Sequence, residues 1–269
     1  MIWVLLGVIG LIVGAFGTLI GAAGGFLLVP ILLFLYPRAS PATITSITLT
    51  VAFFNALSGS IAYGRLKRID YRSGLMFSLA GVPGAVIGAS ITSMLNRNVF
   101  QIIFGITLVI VAVYLLVKPE RHQTADITRI GQTNRTITHR DGTVSTYSFS
   151  LLTGIAIAFG VGFIGGLLGI GGGILHVPAL TQVLGFPAHV ATATSQFVVA
   201  ITTLSAVTVH IVSGAFTEGI RRAAVLSVGA IIGAQFGARL SHNVSEAWIV
   251  RLLAIGLALV AIRLLIAPF

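Results

Sequence analysis

Two glycine runs are the features of this sequence most suited to chemistry. Gly24-Gly25 precedes an apolar segment that starts at Phe26, and Gly171-Gly172-Gly173 precedes a matching segment that starts at Ile174. A glycine inside a helix costs about 1 kcal/mol relative to alanine, so each run predicts an interruption followed by a new helix start. The first turn of a helix presents free backbone N–H groups and the positive end of the helix dipole, which bind anions without a cationic side chain. A purely structural kink is the alternative interpretation.

Hydroxyl side chains follow each glycine run, at the start of the next apolar segment. The two sets are Thr43, Thr45, Ser46 and Thr48 in the first half and Thr192, Thr194, Ser195 and Gln196 in the second. Such residues commonly cap helices or bond between helices in lipid. They also suit a shell of donors around an oxyanion, and the amide of Gln196 offers two N–H groups. We therefore predict a substrate-binding site formed by Gly24, Gly25, Thr45, Ser46, Gly171, Gly172, Gly173, Thr194, Ser195 and Gln196.

Few ionisable side chains fall inside the apolar runs. All six carboxylates lie in predicted loops or at span ends, which argues against a membrane enzyme with paired acids and against a carboxylate proton relay. His176 and His210 lie within apolar runs, where a role in proton coupling competes with a hydrogen-bonded structural role. Arg239 stands near a span end, where attraction of an anion competes with snorkelling to the interface. The sequence predicts no catalytic residue, no metal and no cofactor, and it contains no cysteine.

The elements that carry these residues are membrane spans. Of the 269 residues, 56% are hydrophobic and only 8% are charged, and the mean hydropathy is +1.05. Soluble domains carry about 25% charged residues, so no soluble fold could bury this much apolar surface. We predict an all-α integral membrane protein of about eight spans. The apolar runs lie at 2–36, 42–63, 73–95, 99–117, 148–184, 188–213, 220–241 and 246–266.

The chain contains an internal repeat. At an offset of about 148 residues, Gly21, Gly24, Gly25 and Pro30 fall on Gly169, Gly172, Gly173 and Pro178. Both copies begin with a run too long for one span, in which glycines separate a full span from a half-length helix. Interrupted segments at matching places in two halves are the best sequence indication of a transporter site. We predict a first transmembrane repeat at 1–117, a cytoplasmic linker at 118–147 and a second repeat at 148–269, with four spans each and parallel repeats favoured.

Basic residues cluster between the spans, and they give the net charge of +10. The densest groups lie at 65–72, 118–140 and 221–222, which eight spans would place on one side. The positive-inside rule then makes that side, and both termini, cytoplasmic. This distribution indicates a membrane protein rather than a nucleic-acid partner. The linker alternates enough around Asp141-Gly142 to permit a short hairpin, although a solvated connection without chemistry is the favoured interpretation.

These motifs resemble those of the TauE/SafE sulfite exporter family, also called the toluene sulfonate uptake permease family. The residues that carry the resemblance are 165–173, with Val177-Pro178 and Ala193-Thr194-Ser195, together with their degenerate copies in the first half. The resemblance covers the whole chain and implies a multi-pass permease of the bacterial or archaeal inner membrane. It assigns the family motif to Gly169, Gly171, Gly172, Gly173, Pro178, Thr194 and Ser195. The first copy departs from it at Ala23, where the second copy has Gly171.

The sequence therefore predicts a secondary transporter that moves sulfite, a sulfonate or a related small organic anion by alternating access. An anion channel is the nearest alternative. A membrane-embedded lipid-phosphate hydrolase and a structural subunit represent other classes, and the first would need sets of Glu, Arg or Ser with His inside the membrane, which the sequence does not show. The expected partners are the small anion and membrane lipid. A proton or sodium as coupling ion, a homodimer, the substrate and the direction of transport stay open.

Overall fold

The structure, a computed structural model, describes residues 2–117, 132–140, 142–217 and 219–241. Two strands, β1 (Thr133–Thr138) and β2 (Val144–Phe149), stand between the fifth and sixth helices, and a π-helical turn, Ala179–Val183, follows the seventh. The helices are α1 (Ile2–Ile20), α2 (Gly25–Leu35), α3 (Pro41–Arg65), α4 (Tyr71–Thr92), α5 (Arg97–Val117), α6 (Leu151–Leu168), α7 (Gly173–Pro178), α8 (Ala188–Val212) and α9 (Ile220–Leu240).

Six of the described helices, α1, α3, α4, α6, α8 and α9, are long and apolar enough to cross a membrane. The chain is therefore an integral membrane protein, as predicted. Helix α5 corresponds to the expected fourth span. Its segment Arg97–Val111 is apolar but shorter than the six helices that are long enough to cross a membrane. The expected last span at 246–266 lies outside the described residues. The prediction of eight spans thus stays a prediction.

Both long apolar runs are interrupted at the predicted glycines. Helix α1 ends at Ile20 and α2 begins at Gly25, while α6 ends at Leu168 and α7 begins at Gly173. The far end of α2 is stabilised by Arg97, whose guanidinium donates to the carbonyls of Leu33 at 2.7 Å and Ala39 at 3.1 Å. A cation at a helix C-terminus satisfies carbonyls that lack partners within the helix and also complements the dipole. This end of the half-length helix is thereby fixed to the start of α5.

Small residues bring two pairs of helices into direct backbone contact. Helix α1 packs along α9, where the Cβ of an alanine at Gly14 would lie 2.6 Å from the Cα of Ala230. Helix α6 packs along α4 in the same way, with Gly162 against the carbonyl of Gly81. Small residues permit this approach and are the usual basis of helix association in lipid.

The contacts also give the relative direction of the helices. Gly10 lies against Leu226 and Gly14 against Ala230, so α1 and α9 run parallel. Gly84 lies against Phe159 and Gly88 against Phe163, so α4 and α6 run parallel. In contrast, α3 and α8 are antiparallel, since Thr45 meets His210 and Gly59 meets Gln196.

The basic groups do not all lie at one end of the bundle, which corrects a premise of the sequence interpretation. Gly219, next to Arg221 and Arg222, contacts Ile47 near the start of α3, whereas residues 65–72 follow its end. The 18-residue step along α3 from Ile47 to Arg65 separates these positions by about 27 Å. The half-length helices explain why the three basic groups were placed on one side. A half-length helix that turns back does not cross the membrane, so each one changes the side on which the following loops lie. Residues 65–72 and the hairpin turn do share an end, where the Arg140 amide donates to the Leu66 carbonyl.

The hairpin in the linker is confirmed. Strands β1 and β2 pair antiparallel, with Thr133 opposite Phe149 and Thr138 opposite Val144. The favoured interpretation of a solvated connection is wrong for Tyr147, the last residue of the predicted linker, which is buried together with Phe149 in the same strand. Their rings pack with Phe186, whose centroid lies 4.4 Å from that of Tyr147 and 5.0 Å from that of Phe149. The hairpin is therefore anchored to the helix bundle by an aromatic cluster that also includes Phe77.

Candidate functional site

The two glycine loops adopt left-handed backbone conformations at equivalent positions. In the second half, φ is +72° at Gly169, +73° at Gly171 and +80° at Gly172. In the first half, Gly21 and Gly24 match two of these, and Ala23 takes the place of Gly171 with φ +52°. A non-glycine residue in this region costs roughly 1–2 kcal/mol, so Ala23 keeps the loop conformation at a cost. The departure from the family motif therefore leaves the backbone geometry in place.

The loops meet each other inside the bundle. The Cβ of an alanine at Gly25 would lie 2.7 Å from the carbonyl oxygen of Ile170. On the other side, the Cβ of an alanine at Gly173 would lie 2.7 Å from the carbonyl oxygen of Gly21 and 2.7 Å from the Cα of Ala22. All of these residues are buried. Both interrupted helices thus begin at one place, and only glycine allows the two loops to touch.

The first amides of the restarted helices have free hydrogens. Among the described residues, the N–H groups of Gly25, Phe26, Gly173 and Ile174 have no backbone or side-chain acceptor, whereas Leu27 and His176 already bond back to Gly24 and Gly172. Buried backbone N–H groups are otherwise almost always paired. The amides are the groups expected at the start of a helix, and here four of them lie close together in the centre of the bundle.

Ser195 and Gln196 join this centre from α8. The Ser195 hydroxyl donates to the carbonyl of Gly21 at 3.0 Å, and Nε2 of Gln196 donates to the carbonyl of Gly17 at 3.3 Å. Both side chains are fully buried. The Gln196 carbonyl oxygen, Oε1, has no donor within the described part of the chain. These two predicted residues therefore lie beside the glycine loops, with their donors directed at the end of α1.

Two residues that the sequence interpretation missed act on the same helix end. Nδ2 of Asn55 donates to the carbonyl of Gly14 at 3.4 Å, and the Tyr63 hydroxyl donates to the carbonyl of Thr18 at 2.8 Å. Four side chains thus bond to carbonyls in the last two turns of α1 and just after it, which ties this helix end to α3 and α8. The available signal was Asn55 itself, since an amide in the middle of an apolar span needs partners.

The other predicted residues lie in separate places. Oγ1 of Thr45 forms a hydrogen bond with Nε2 of His210 at 3.3 Å, and its methyl group lies beside Gly169. Ser46 donates to the Thr43 carbonyl at 2.8 Å and reaches the Ala215 carbonyl at 3.5 Å, at the end of the bundle where α9 starts. The predicted set is therefore not one cluster. Gly24, Gly25, Gly171 to Gly173, Ser195 and Gln196 share the centre, with Thr45 at its border.

Thr194 and His176 face the hairpin side of the bundle. Oγ1 of Thr194 accepts a hydrogen bond from the Asp70 amide at 3.0 Å. The His176 ring stands edge-on to Phe77 in the aromatic cluster, with 5.9 Å between centroids. Nδ1 of His176 and Nδ1 of His210 both lack partners among the described residues. Their positions leave the predicted role in proton coupling untested.

A buried polar network joins the hairpin to this region through Asp70. The carboxylate accepts from the Ser73 amide at 3.1 Å, which caps α4, and from the Tyr147 hydroxyl at 2.8 Å. Nε of Arg135 lies 3.6 Å from the same carboxylate and donates to Ser73 at 3.2 Å. Burial, followed by the charge of Asp70, raises the pKa of Tyr147, so its phenol stays a neutral donor. Asp70 therefore links β1, β2 and α4, and its own amide links them to Thr194.

We expect Asp70→Asn to loosen the hairpin. Asparagine caps a helix nearly as well as aspartate, so the start of α4 is retained while the ion pair and the charged hydrogen bond are lost. The free energy of unfolding should fall by about 1–3 kcal/mol, and hydrogen exchange at residues 133–149 should accelerate. A double-mutant cycle with Arg135→Gln tests the pairing, because equal and additive losses would show that the two side chains do not interact.

Within the described residues there is no group of three or more histidine, cysteine or carboxylate side chains that could hold a metal ion. The site is instead made of backbone amides, hydroxyls and amide side chains in a buried setting. Such groups bind an anion through hydrogen bonds and dipoles, without a full positive charge.

Long apolar helices and interrupted helices that meet inside the bundle define a multi-pass membrane protein of the transporter class. The chain belongs to the sulfite exporter TauE/SafE family, whose model matches residues 6–264. It is 36% identical over 275 residues to the probable membrane transporter protein YunE of Bacillus subtilis, with 98% of each chain covered. A probable membrane transporter protein of Methanocaldococcus jannaschii is 23% identical over 256 residues, covering 90% of this chain and 87% of the relative. No solved structure matches the chain.

Proposed function

We propose that this chain is a secondary transporter that binds a small anion, such as sulfite, a sulfonate or a related organic acid, where the two glycine loops meet. The observation that carries the proposal is the set of four buried amides, at Gly25, Phe26, Gly173 and Ile174, that have no acceptor in the described structure. Two helix dipoles add their positive ends at the same place. This arrangement attracts an oxyanion without the strong binding of a full charge, which would slow release.

The side chains around the loops would complete the shell. The Ser195 hydroxyl and the Gln196 amide donate to α1 carbonyls in this conformation, so a bound anion would have to take over part of that bonding. Oε1 of Gln196 could accept a hydrogen from a protonated oxyanion such as bisulfite. Thr45 and its partner His210 stand at the border of the site. In that position, protonation of the histidine would be coupled to binding of the anion.

We further propose that the chain consists of two inverted repeats. The direction of each helix supports this organisation: α1, α3 and α9 run one way, and their antiparallel counterparts α6, α8 and α4 run the other. Each repeat also lends one helix to the other: α1 of the first repeat packs on α9 of the second, and α6 of the second packs on α4 of the first in the equivalent way. This replaces the parallel repeats favoured from the sequence. In transporters with inverted repeats, the site lies at the repeat interface, and movement of one repeat against the other alternates access.

A membrane orientation follows from the same geometry. The basic groups at 65–72 and in the hairpin lie at one end of the bundle, and the start of α1 lies at the other, where Gly7 contacts Val225. The positive-inside rule would make the first end cytoplasmic. The N-terminus then faces away from the cytoplasm, in a bacterial or archaeal cell membrane, whereas the sequence interpretation placed it inside. Labelling of a cysteine introduced at Ile2 in intact cells tests this placement.

A ligand screen on the purified protein tests the proposed substrate class. The thermal unfolding midpoint should rise in a saturable manner with at least one of sulfite, thiosulfate, taurine, sulfoacetate or a small carboxylate, because a ligand that binds only the folded state stabilises it. Chloride at equal ionic strength is the control. If none of these anions shifts the midpoint beyond the chloride control, the proposed site does not bind this class of ligand.

A further inference from the structure

A second region of the molecule is built for an anion, at the basic end of the bundle. A cavity of about 370 Å³ opens there between the end of α3, the turn of the hairpin and the end of α9. Three elements that are distant in sequence each contribute one arginine to its lining: Arg65 from α3, Arg140 from the hairpin and Arg239 from α9. The rest of the lining is Ala62, Leu66, Gln235 and Ala238.

The charge of this cavity is not balanced by the residues that the structure describes. No carboxylate is among the lining residues, and the ion pair found in the described chain, Arg135 with Asp70, involves none of the three arginines. A fourth arginine, Arg68, is buried in the adjoining loop, where its Nη1 has no hydrogen-bond partner among the described residues. Guanidinium groups bind phosphate and sulfonate oxygens through charge-assisted, often bidentate, hydrogen bonds.

The position of the cavity is held by hydrogen bonds that do not use the arginine side chains. The amide of Arg140 donates to the carbonyl of Leu66 at 3.2 Å, which fixes the hairpin turn against the end of α3. Nε2 of Gln235 donates to the carbonyl of Ser58 at 2.9 Å, which fixes α9 against α3. The guanidinium groups are therefore brought to one cavity by the packing of the elements, and among the described residues no side-chain hydrogen bond engages them.

From these features we infer a binding site for an amphiphilic anion, with a phosphate or sulfonate group held by Arg65, Arg140 and Arg239 and an apolar part against Ala62, Leu66 and Ala238. The combination of a cationic rim and an apolar lining matches this chemistry better than it matches an inorganic ion alone. The ligand could be the headgroup of an anionic lipid, which is enriched at the cytoplasmic surface, or a soluble anion of the same chemistry. The site is separate from the glycine loops, and neither proposal depends on the other.

Binding to the purified full chain tests the inference. The unfolding midpoint is measured during titration with dihexanoyl phosphatidylglycerol, with inorganic phosphate and, as a neutral-headgroup control, with dihexanoyl phosphatidylcholine. We expect saturable stabilisation by the phosphatidylglycerol and none by the phosphatidylcholine. Equal stabilisation by inorganic phosphate would assign the site to free anions, and its absence would assign the site to lipid. If neither anion stabilises the protein more than phosphatidylcholine does, the inference is wrong.

A matched set of variants locates the binding. The triple variant Arg65→Gln, Arg140→Gln, Arg239→Gln should weaken the apparent affinity by about tenfold or more, since it removes the charge-assisted bonds. The control Arg38→Gln, Arg72→Gln, Arg221→Gln removes the same charge from exposed arginines outside the cavity and should change the affinity less than about twofold. Equal losses in both variants would mean a diffuse charge effect and would overturn the site. If the triple variant does not fold, Arg239→Gln alone is compared with Arg38→Gln.

Discussion

Replacing Gly173 by alanine is expected to abolish transport of the anion. The added Cβ would lie 2.7 Å from the carbonyl oxygen of Gly21, and since both partners are backbone atoms, the two loops would have to move apart. The amides of Gly173 and Ile174 would then lose their position relative to Gly25 and Phe26. Displacements of about 1 Å in a positioned site cost on the order of 100-fold in enzymes, and we expect a loss of at least about tenfold in the initial uptake rate.

The measurement is uptake into proteoliposomes, normalised to folded protein. Gly25→Ala should behave like Gly173→Ala, because its Cβ would meet Ile170 in the equivalent way. Gly160→Ala is the control, since a Cβ at Gly160 has nothing within 4 Å. Uptake by Gly173→Ala at the rate of Gly160→Ala would mean that contact between the loops is not needed for transport.

Replacing Gly162 by alanine is expected to cause a large loss of stability. The added Cβ would overlap the carbonyl of Gly81, so helices α6 and α4 would have to separate along their contact. Overpacking costs typically 1–3 kcal/mol, and a clash with backbone belongs at the upper end, at about 3 kcal/mol. The free energy of unfolding, or the thermal midpoint of the detergent-purified protein, gives the result.

The control for this prediction lies in the same helix. Gly160→Ala places its Cβ in open space two residues away, and the better helix propensity of alanine should make it neutral or stabilising by up to about 1 kcal/mol. If Gly160→Ala and Gly162→Ala lowered the free energy of unfolding by similar amounts, the effect would come from the backbone of α6 itself and not from its contact with α4. The close packing of α4 and α6 would then contribute little.

The sequence was most informative where local physics decides the structure. Consecutive glycines cannot continue a helix cheaply, and both predicted interruptions are present, between Ile20 and Gly25 and between Leu168 and Gly173. The Asp141-Gly142 pair with alternating flanks predicted the hairpin, which forms between Thr133–Thr138 and Val144–Phe149. The resemblance to the TauE/SafE family, based on the glycine motif, is confirmed by the family match.

The sequence was least informative about features that depend on distant parts of the chain. The side on which each basic group lies depends on the number of spans before it. Hydropathy does not show whether helices as short as α2 and α7 cross the membrane or turn back. The sequence also did not indicate the role of Asp70, because its partners Arg135 and Tyr147 come from the distant linker. Likewise, no local pattern indicates that Arg65, Arg140 and Arg239 share a cavity.

The conformation of Ala23 illustrates a further limit. In the sequence, alanine at this position is a departure from the motif, where the second copy has Gly171. The backbone nevertheless keeps φ +52°, beside +73° at Gly171. The backbone of Ala23 packs against Gly17 and the residue is fully buried, so tertiary contacts hold a conformation that alanine does not prefer.

Counterflow is the measurement that tests the central claim most directly. Proteoliposomes containing the wild-type chain are loaded with an unlabelled anion, diluted into the same anion in labelled form, and sampled over time, for sulfite, a sulfonate and a small carboxylate in turn. We predict transient accumulation of label for at least one of these anions and its disappearance with Gly173→Ala. Absence of accumulation for all of them, or flux that rises linearly with concentration without saturation, would contradict a carrier that binds small anions between its glycine loops.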